Sequence, residues 1–443
     1  MVDPFVAVIL SLPLLAIMLA MGIPAFVSLG LTGFIGCGLI SNWQQAFLTL
    51  KTFPYTQIAS YPLVVVPLFI IMGHFAFKAG IGRDVFYVGR LWLSRLPAGL
   101  GLATIVGSGG FAACSGSSVA TAATMGAVAV PEMRAQGYSP GLACGIVAAG
   151  GVLGIMIPPS IVLVIYGSLT DTSVGVMLLA GVLPGLLAML VYGVGLVFLS
   201  FIMPDISSSS TRYSWREKFA SLRLCLWAGI LFTIVIGGIY IGWFTPTEAA
   251  AVGAFVALVA LLIRRKGLSD ETLFSALIQC FAQTVKTTSM VFIVFAGAGI
   301  YSFFLTLAQV PQKMSVYLST LTIPPLGIIF GFLVILIILG MFLDSISLLL
   351  VTMPVMFPVV REFGYSPVWF GILATQACEI GLITPPVGLN VYILAGVVRD
   401  VSLTTIFKGC LWFVLFATIT LLILFFFPEI SLWLPSKSQM TIY

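Results

Sequence analysis

The sequence predicts an all-α polytopic membrane protein built from two inverted repeats. Each repeat has five transmembrane helices plus one re-entrant helical hairpin beside a broken helix. Three observations carry that prediction. Of 443 residues, 60% are hydrophobic and 7% charged, with a mean hydropathy of +1.19, which removes the chain from the soluble class. Residues 131–159, PEMRAQGYSPGLACGIVAAGGVLGIMIPP, reappear without a gap 227 positions later as residues 358–386, PVVREFGYSPVWFGILATQACEIGLITPP, with nine of 29 positions identical. Both copies end in Pro-Pro, and helices broken at corresponding places in two related halves are the pattern of secondary transporters.

The elements follow in order. Residues 5–21, 24–40, 61–77, 141–168 and 174–203 in the first half, and 224–243, 246–263, 288–310, 368–396 and 409–428 in the second, lie near the roughly 20 apolar residues a membrane helix needs. No alternation of a β-barrel kind is present. The first segment follows only Asp3, without a basic stretch, and reads as a membrane helix that stays. The net charge of +5 is thinly spread, so it marks membrane sidedness and carries no nucleic-acid signal. Arg212, Arg216, Lys218 and Arg223, then Arg264, Arg265 and Lys266, set the cytoplasmic face. Counting from there puts Lys78, Arg83, Arg90, Arg95, Arg134, Arg399 and Lys408 inside and both termini outside. Five spans in each half, residues 1–211 and 212–443, turn the second copy upside down.

Two apolar stretches stay outside that count, residues 97–130 and 324–357, each long enough to enter and leave by one face. The first is dominated by Gly, Ala, Ser and Thr, which suit close backbone approach inside a protein. Irregular backbone at membrane depth is tolerated only there or along a cavity. Residues 83–96 and 264–286 read as amphipathic surface helices.

The candidate chemistry sits at the hairpin tips and helix breaks. Ser115, Gly116, Ser117 and Ser118, with Thr121 and Thr124, correspond to Phe342, Leu343, Asp344 and Ser345 in the other half. Sodium is a hard cation that needs several oxygens in place of its water, and hydroxyls plus carbonyls freed by an unwound helix supply them. Asp344 would cost roughly 2.5 to 3.5 kcal/mol at mid-membrane without a partner, and a cation is the obvious one. The breaks are residues 154–160 and 381–390, where two successive prolines open the helix. The half-helix after each break would point its positive end at an anion, and Thr384 and Asn390 add polar side chains. Plainer readings stand beside these: tight packing for the Ser/Gly stretch, simple kinks for the prolines, and backbone orientation for Glu248 and Glu379. His74 reads as a packed, hydrogen-bonded residue and the seven cysteines as small hydrophobes.

At these motifs the chain resembles the large membrane (M) subunit of the tripartite ATP-independent periplasmic (TRAP) transporters, a DctM-like protein. The matching stretches are FAACSGSSVATAATMGAVAVPEM and AAGGVLGIMIPPSIVLVIYG in the first half, and FTPTEAAAVGA, GMFLDSISLLLVTMPV and GLITPPVGLNVYILAG in the second. The resemblance implies sodium-coupled uptake of a small organic anion, usually a carboxylate, by an elevator movement in a multi-pass bacterial inner-membrane protein. It implies one sodium site at Ser115, Ser117, Ser118, Gly154 and Pro158, and a second at Asp344, Ser345, Thr384, Pro385 and Asn390. Substrate is then expected between the tips, at Ser117, Thr121, Pro159, Ser345, Pro386 and Gly388. At least two sodium ions are implied, with no organic cofactor and no transition metal. The implied partners are a small four-helix membrane subunit (Q), expected as a separate chain, a periplasmic substrate-binding protein (P), and membrane lipids. Cys114 stands where an aliphatic residue is expected. Three rivals remain: a divalent-anion/sodium symporter working alone, an intramembrane serine hydrolase using one of Ser115 to Ser118 with His74 as base, and a channel.

Overall fold

The computed structural model describes residues 2–203, 213–264, 272–320 and 322–438. Among them the regular structure is all helical. In the first half, α1 is Pro4–Ala20, α2 Ala25–Ile40, α3 Trp43–Ile58, α4 Tyr61–Lys78, α5 Ile81–Leu93, α6 Gly99–Ser115, α7 Ser118–Ala135, α8 Pro140–Met156, α9 Ile161–Leu169 and α10 Val174–Ile202. In the second, α11 is Trp215–Ile241, α12 Pro246–Arg264, α13 Leu273–Leu307, α14 Val310–Thr320, α15 Pro325–Gly340, α16 Ser345–Glu362, α17 Pro367–Ile383, α18 Leu389–Val397, α19 Leu403–Phe426 and α20 Glu429–Lys437. Adding 227 to the bounds of α7 and α8 gives 345–362 and 367–383, the bounds of α16 and α17.

The identical Gly-Tyr-Ser-Pro of the two repeats is turn chemistry. Gly137 and Gly364 take φ of 91° and 75° after α7 and α16, a left-handed conformation that a Cβ would oppose. The next N–H, of Tyr138 or Tyr365, then reaches back to the carbonyl of Met133 or Val360 at 3.1 and 3.2 Å, closing the helix end. Ser139 and Ser366 cap the following helices by accepting from Leu142 and Trp369 N–H groups at 3.4 Å each, and Pro140 and Pro367 occupy the first helical position. The last residue before each break is thereby set a fixed number of turns away.

α2 and α3 pack on α13, and α4 packs on α12, forming an outer layer; α6 to α10 and α15 to α19 form an inner body, with α5 against α6 and α14 against α16. At its heart, every residue of 141–156 and 368–383 is buried. That burial needs close backbone approach where α8 meets α19, because a Cβ on Gly145 would lie 2.3 Å from the Gly409 carbonyl oxygen. A Cβ on Gly409 would lie 1.8 Å from the Gly141 oxygen.

Several expectations are corrected. Residues 273–286 form no separate surface helix; they continue into the 35-residue α13, because Lys286 alone does not interrupt a helical sequence, while residues 265–271 lie outside the described set. α3 had been passed over: Gln44, Gln45, Thr49, Lys51 and Thr52 hold its hydropathy down, yet it packs against α2 and α13. Among the described residues, seven helices are long and apolar enough to cross a membrane, or eight if α8 and α9, bent by 41°, count as one span. Ten were expected. α1 and α2, with 17 and 16 residues, fall below that length, and α16, an arm of the second hairpin, also meets it. The proposed boundary at 211 and 212, with Arg212, lies outside the described residues, as do Arg265 and Lys266.

Four basic residues tie separate elements together. Arg90 pairs with Glu132 and reaches the Tyr213 hydroxyl at 3.1 Å, Arg264 pairs with Asp84, and Lys78 donates to Gln279 at 3.0 Å. Arg134 meets Asp400 at 2.6 Å, and its guanidinium holds that exposed carboxyl below the usual carboxylate range. Exposed pairs of this kind add little stability. Six cysteines are buried, Cys225 is half-buried, and all seven are free thiols.

The glycine crossing makes a direct prediction. Gly409→Leu should lower the unfolding midpoint of the purified protein in detergent, at a cost of about 1–3 kcal/mol for overpacking. Gly331→Leu, at a position where a Cβ meets nothing within 4 Å, should leave the midpoint near that of the wild type.

Candidate functional site: two hairpin tips on two broken helices

α6 and α7 form the first hairpin, turning at Gly116 and Ser117. Gly116 has φ of 61° and sits so tightly that a Cβ would lie 2.4 Å from the Pro159 carbonyl oxygen. Ser117 caps α7, accepting from Ala120 N–H at 3.3 Å. The Thr121 hydroxyl donates to the Ser117 carbonyl at 2.8 Å and lies 3.1 Å from Ser115 Oγ. The tip lands on the α8–α9 break: a Cβ on Gly154 would lie 2.7 Å from the Ser117 oxygen, and Ile161 N–H points at the Gly116 carbonyl at 3.5 Å. Ser160 closes the break by bonding the Ile155 carbonyl and accepting from Leu163 N–H.

The second hairpin, α15 and α16, repeats this build with different chemistry. It turns through residues 341–344, and Asp344 caps α16, accepting from Ile346 and Ser347 N–H groups at 3.1 Å each. Its partner is the α17–α18 break. A Cβ on Gly381 would lie 2.5 Å from the Gly340 carbonyl carbon, and Gly388, at φ of 57°, donates its N–H to the Met341 carbonyl at 3.3 Å. Thr384 donates to the Ile380 carbonyl at 2.5 Å. Both Pro-Pro bonds, 158–159 and 385–386, are cis.

The structure therefore brings Ser115, Ser117, Ser118, Thr121, Gly154, Pro158 and Pro159 together at one tip, and Asp344, Ser345, Thr384, Pro385, Pro386 and Gly388 at the other. Asn390 follows on α18, at the far side of the second break. It is fully buried, a Cβ on Gly151 would lie 3.2 Å from its Nδ2, and both its polar side-chain atoms lack a hydrogen-bond partner. Ser345 Oγ is likewise buried and unpartnered. Buried polar atoms without partners are uncommon and call for an explanation. Exposure also separates the two sites: residues 158–160 are buried, whereas Pro385 and Pro386 are exposed and Phe342 is 59% exposed.

The remaining candidates sort by contact. Glu248 forms a capping box with Thr245, accepting from its N–H and hydroxyl at 2.8 Å each and donating back at 3.3 Å, an orienting role at a helix start. His74 is half-buried and, among the described residues, forms no hydrogen bond to the hairpin serines, whose hydroxyls serve helix caps and Thr121. Glu379 is buried and bonded to nothing; sequence reasoning had only its position near a break. Two open spaces lie away from the tips. One, about 340 Å³, is lined by Thr56, Gln57, Ser60, Ser168, Asp171 and Ser302. The other, about 590 Å³, lies between α7 and the end of α18, beside Arg134, Arg399 and Asp400.

The family model described as "Tripartite ATP-independent periplasmic transporter, DctM component" matches residues 12–430. The chain belongs to this DctM family. It is 35% identical over 412 residues to the C4-dicarboxylate TRAP transporter large permease protein of Pseudomonas aeruginosa, covering 92% of this chain and 94% of the relative. It is 33% identical over 380 residues to the sialic acid TRAP transporter large permease protein of Vibrio cholerae, covering 85% and 87%. Among solved structures, the Alcanivorax borkumensis YdaH transporter aligns with a TM-score of 0.62 at 14% identity, covering 87% of this chain and 89% of that one; at that identity the likeness concerns the fold alone. The DctM chain is thus a multi-pass transporter subunit of the bacterial inner membrane and not an enzyme, which removes the serine hydrolase reading.

Seating each tip on its break through glycine gives a test. Gly154→Val should push the first tip off the α8–α9 break and lower transport roughly tenfold or more while leaving the protein in the membrane. Gly331→Val should transport normally, with surface-corrected uptake per molecule as the readout.

Proposed function

We propose that this DctM chain drives sodium-coupled uptake of a small organic anion, most simply a carboxylate, delivered by a periplasmic substrate-binding protein. Its two halves would be inverted relative to each other, and the body carrying both hairpins would slide against the outer layer as an elevator. The observation that carries the reading is the pair of hairpin tips seated on two opened helices, with Ser345 Oγ and both Asn390 atoms buried and unpaired beside them. An opened helix frees carbonyl oxygens, and an alkali ion takes such oxygens together with hydroxyls and a carboxylate. Ser115, Ser117, Ser118, Gly154 and Pro158 would serve one ion; Asp344, Ser345, Thr384, Pro385 and Asn390 would serve another.

Asn390, which reaches from α18 to Gly151 of α8, would extend the second site toward the first. The N-termini of α7, α9, α16 and α18 begin at the tips and breaks, so their positive ends would face an anion held among Ser117, Thr121, Pro159, Ser345, Pro386 and Gly388. Relatives named for C4-dicarboxylates, sialic acid and 2,3-diketo-L-gulonate support an organic acid without choosing one. The family description as one component of a tripartite system supports a small membrane subunit and a soluble binding protein as partners. Exposed apolar faces, such as Phe274, Ile278, Phe281 and Val285 on α13, would meet lipid or that small subunit.

The test is uptake of a labelled C4-dicarboxylate into proteoliposomes carrying this chain with its small subunit and binding protein under an inward sodium gradient. Uptake should need all three components and the gradient; full-rate uptake by this chain alone would support the stand-alone symporter. Asp344→Asn should raise the half-saturating sodium concentration about tenfold, equivalent to about 1.4 kcal/mol, at unchanged protein abundance. Unaltered sodium dependence would remove Asp344 from the ion site.

A further inference from the structure

Glu379 lies in α17 about one turn before the end of the helix at the break, with no part of its side chain accessible and neither carboxylate oxygen hydrogen-bonded. The two polar side chains beside it are equally buried. Gln376 precedes it by one turn on α17, and Tyr192 faces it from α10. Gln376 donates through Nε2 to the Ala417 carbonyl of α19 at 3.5 Å, which leaves its Oε1 without a partner, and the Tyr192 hydroxyl also has none. Gln376 thus lies within hydrogen-bonding reach of both Glu379 and Tyr192, yet none of these four oxygens has a partner within 3.5 Å where α10 and α17 pack together.

No counter-charge stands nearby. α8, α9, α10, α15 and α18 contain no charged residue, and Glu379 is the sole one in α17. Cys144 of α8, Cys410 of α19, Tyr166 of α9 and Tyr392 of α18 complete the ionisable residues of those helices, and Cys378 is the neighbour of Glu379 on its own. Arg361 and Glu362 of α16 lie in its final turn, Glu429 and Lys437 at the ends of α20, and Lys408 nine residues before Ala417, about 13 Å along α19. Among the described residues no ion pair reaches Glu379. A lone carboxylate in a dry site is strongly unfavourable, and in a membrane such a residue marks an ion or proton path.

We propose that the Glu379 carboxyl, with Gln376 Oε1 and the Tyr192 hydroxyl, binds a monovalent cation, a proton or a sodium ion, separate from the hairpin sites. The cation supplies the positive charge that the fold does not. A single carboxylate suits a single charge, and the two contributing helices belong to the inner body, so the cation would move with the hairpins. Cys378, adjacent to Glu379, packs against Gly340 at the end of α15, which places this site behind the second hairpin. The inference rests on the transport reading, and wild-type uptake in the same vesicles serves as its control.

The experiment compares wild type with Glu379→Gln, an isosteric change that removes the charge, in proteoliposomes holding the complete system and using the labelled C4-dicarboxylate. Cation-to-substrate ratios would be measured with labelled sodium and with an internal pH dye. We expect the variant's ratio to fall by one, in the sodium arm if the cation is sodium and in the pH arm if it is a proton. Equal ratios in both arms, with the variant active, would overturn the proposal. Should the variant fail to fold, infrared difference spectra of the wild type decide. A carboxyl band that responds to sodium against choline, or a pH-dependent protonated-carboxyl band, either one absent from Glu379→Asp, supports the site; no such band overturns it.

Discussion

A helix cut open inside a membrane leaves backbone groups with no water to bond, and this protein depends on how those groups are met. Each of its two Pro-Pro breaks is closed by a hairpin tip that approaches to backbone contact. Gly116 offers its carbonyl to Ile161 N–H, and Met341 offers its carbonyl to Gly388 N–H. Ser160 returns a bond to Ile155 across the first break, while Thr384 closes the end of α17 by bonding Ile380 one turn back. The tips cannot reach that depth unless their seats lack side chains, so Gly154 and Gly381 are as necessary as the prolines they precede. The dry heart made by α8 and α17 follows from the same requirement.

The two assemblies share a plan and differ in what they present. At the first tip the polar groups are hydroxyls, nearly all engaged and shielded. At the second they include a carboxylate that caps α16, while the adjoining prolines face open space. Asn390 bridges the halves by resting on Gly151, so the second break contributes to the neighbourhood of the first. A symmetric fold thereby holds two unlike chemical environments within one packed body.

Much of this was legible from residue order. Successive prolines, the Gly/Ser-rich stretch and the repeated Gly-Tyr-Ser-Pro turn each impose a local geometry, so the hairpins and breaks fall close to their expected bounds. Glu248 sits in a Thr-Pro-Thr-Glu run whose capping role is equally local. What escaped reading depended on distant partners. α3 is too polar to announce itself as buried in a membrane bundle and is held by α2 and α13. The continuity of α13 hides behind one lysine. That Asn390 also reaches Gly151, 239 positions earlier, is a contact between halves that residue order does not announce. The isolation of Glu379 appears only when the helices around it are assembled.

The outer layer also breaks the symmetry. In the first half, α3 and α4 are separate helices with a turn at Ala59 and Ser60, whereas the corresponding stretch of the second half is the unbroken α13. At about 1.5 Å per residue, 35 residues measure about 52 Å, well beyond the roughly 30 Å of a hydrocarbon core. Such a rod must lean or reach into the headgroups, and its inclination is coupled to bilayer thickness. Within that layer one partner is a stiff strut and the other a jointed one, so a thinner or thicker membrane strains the two unequally.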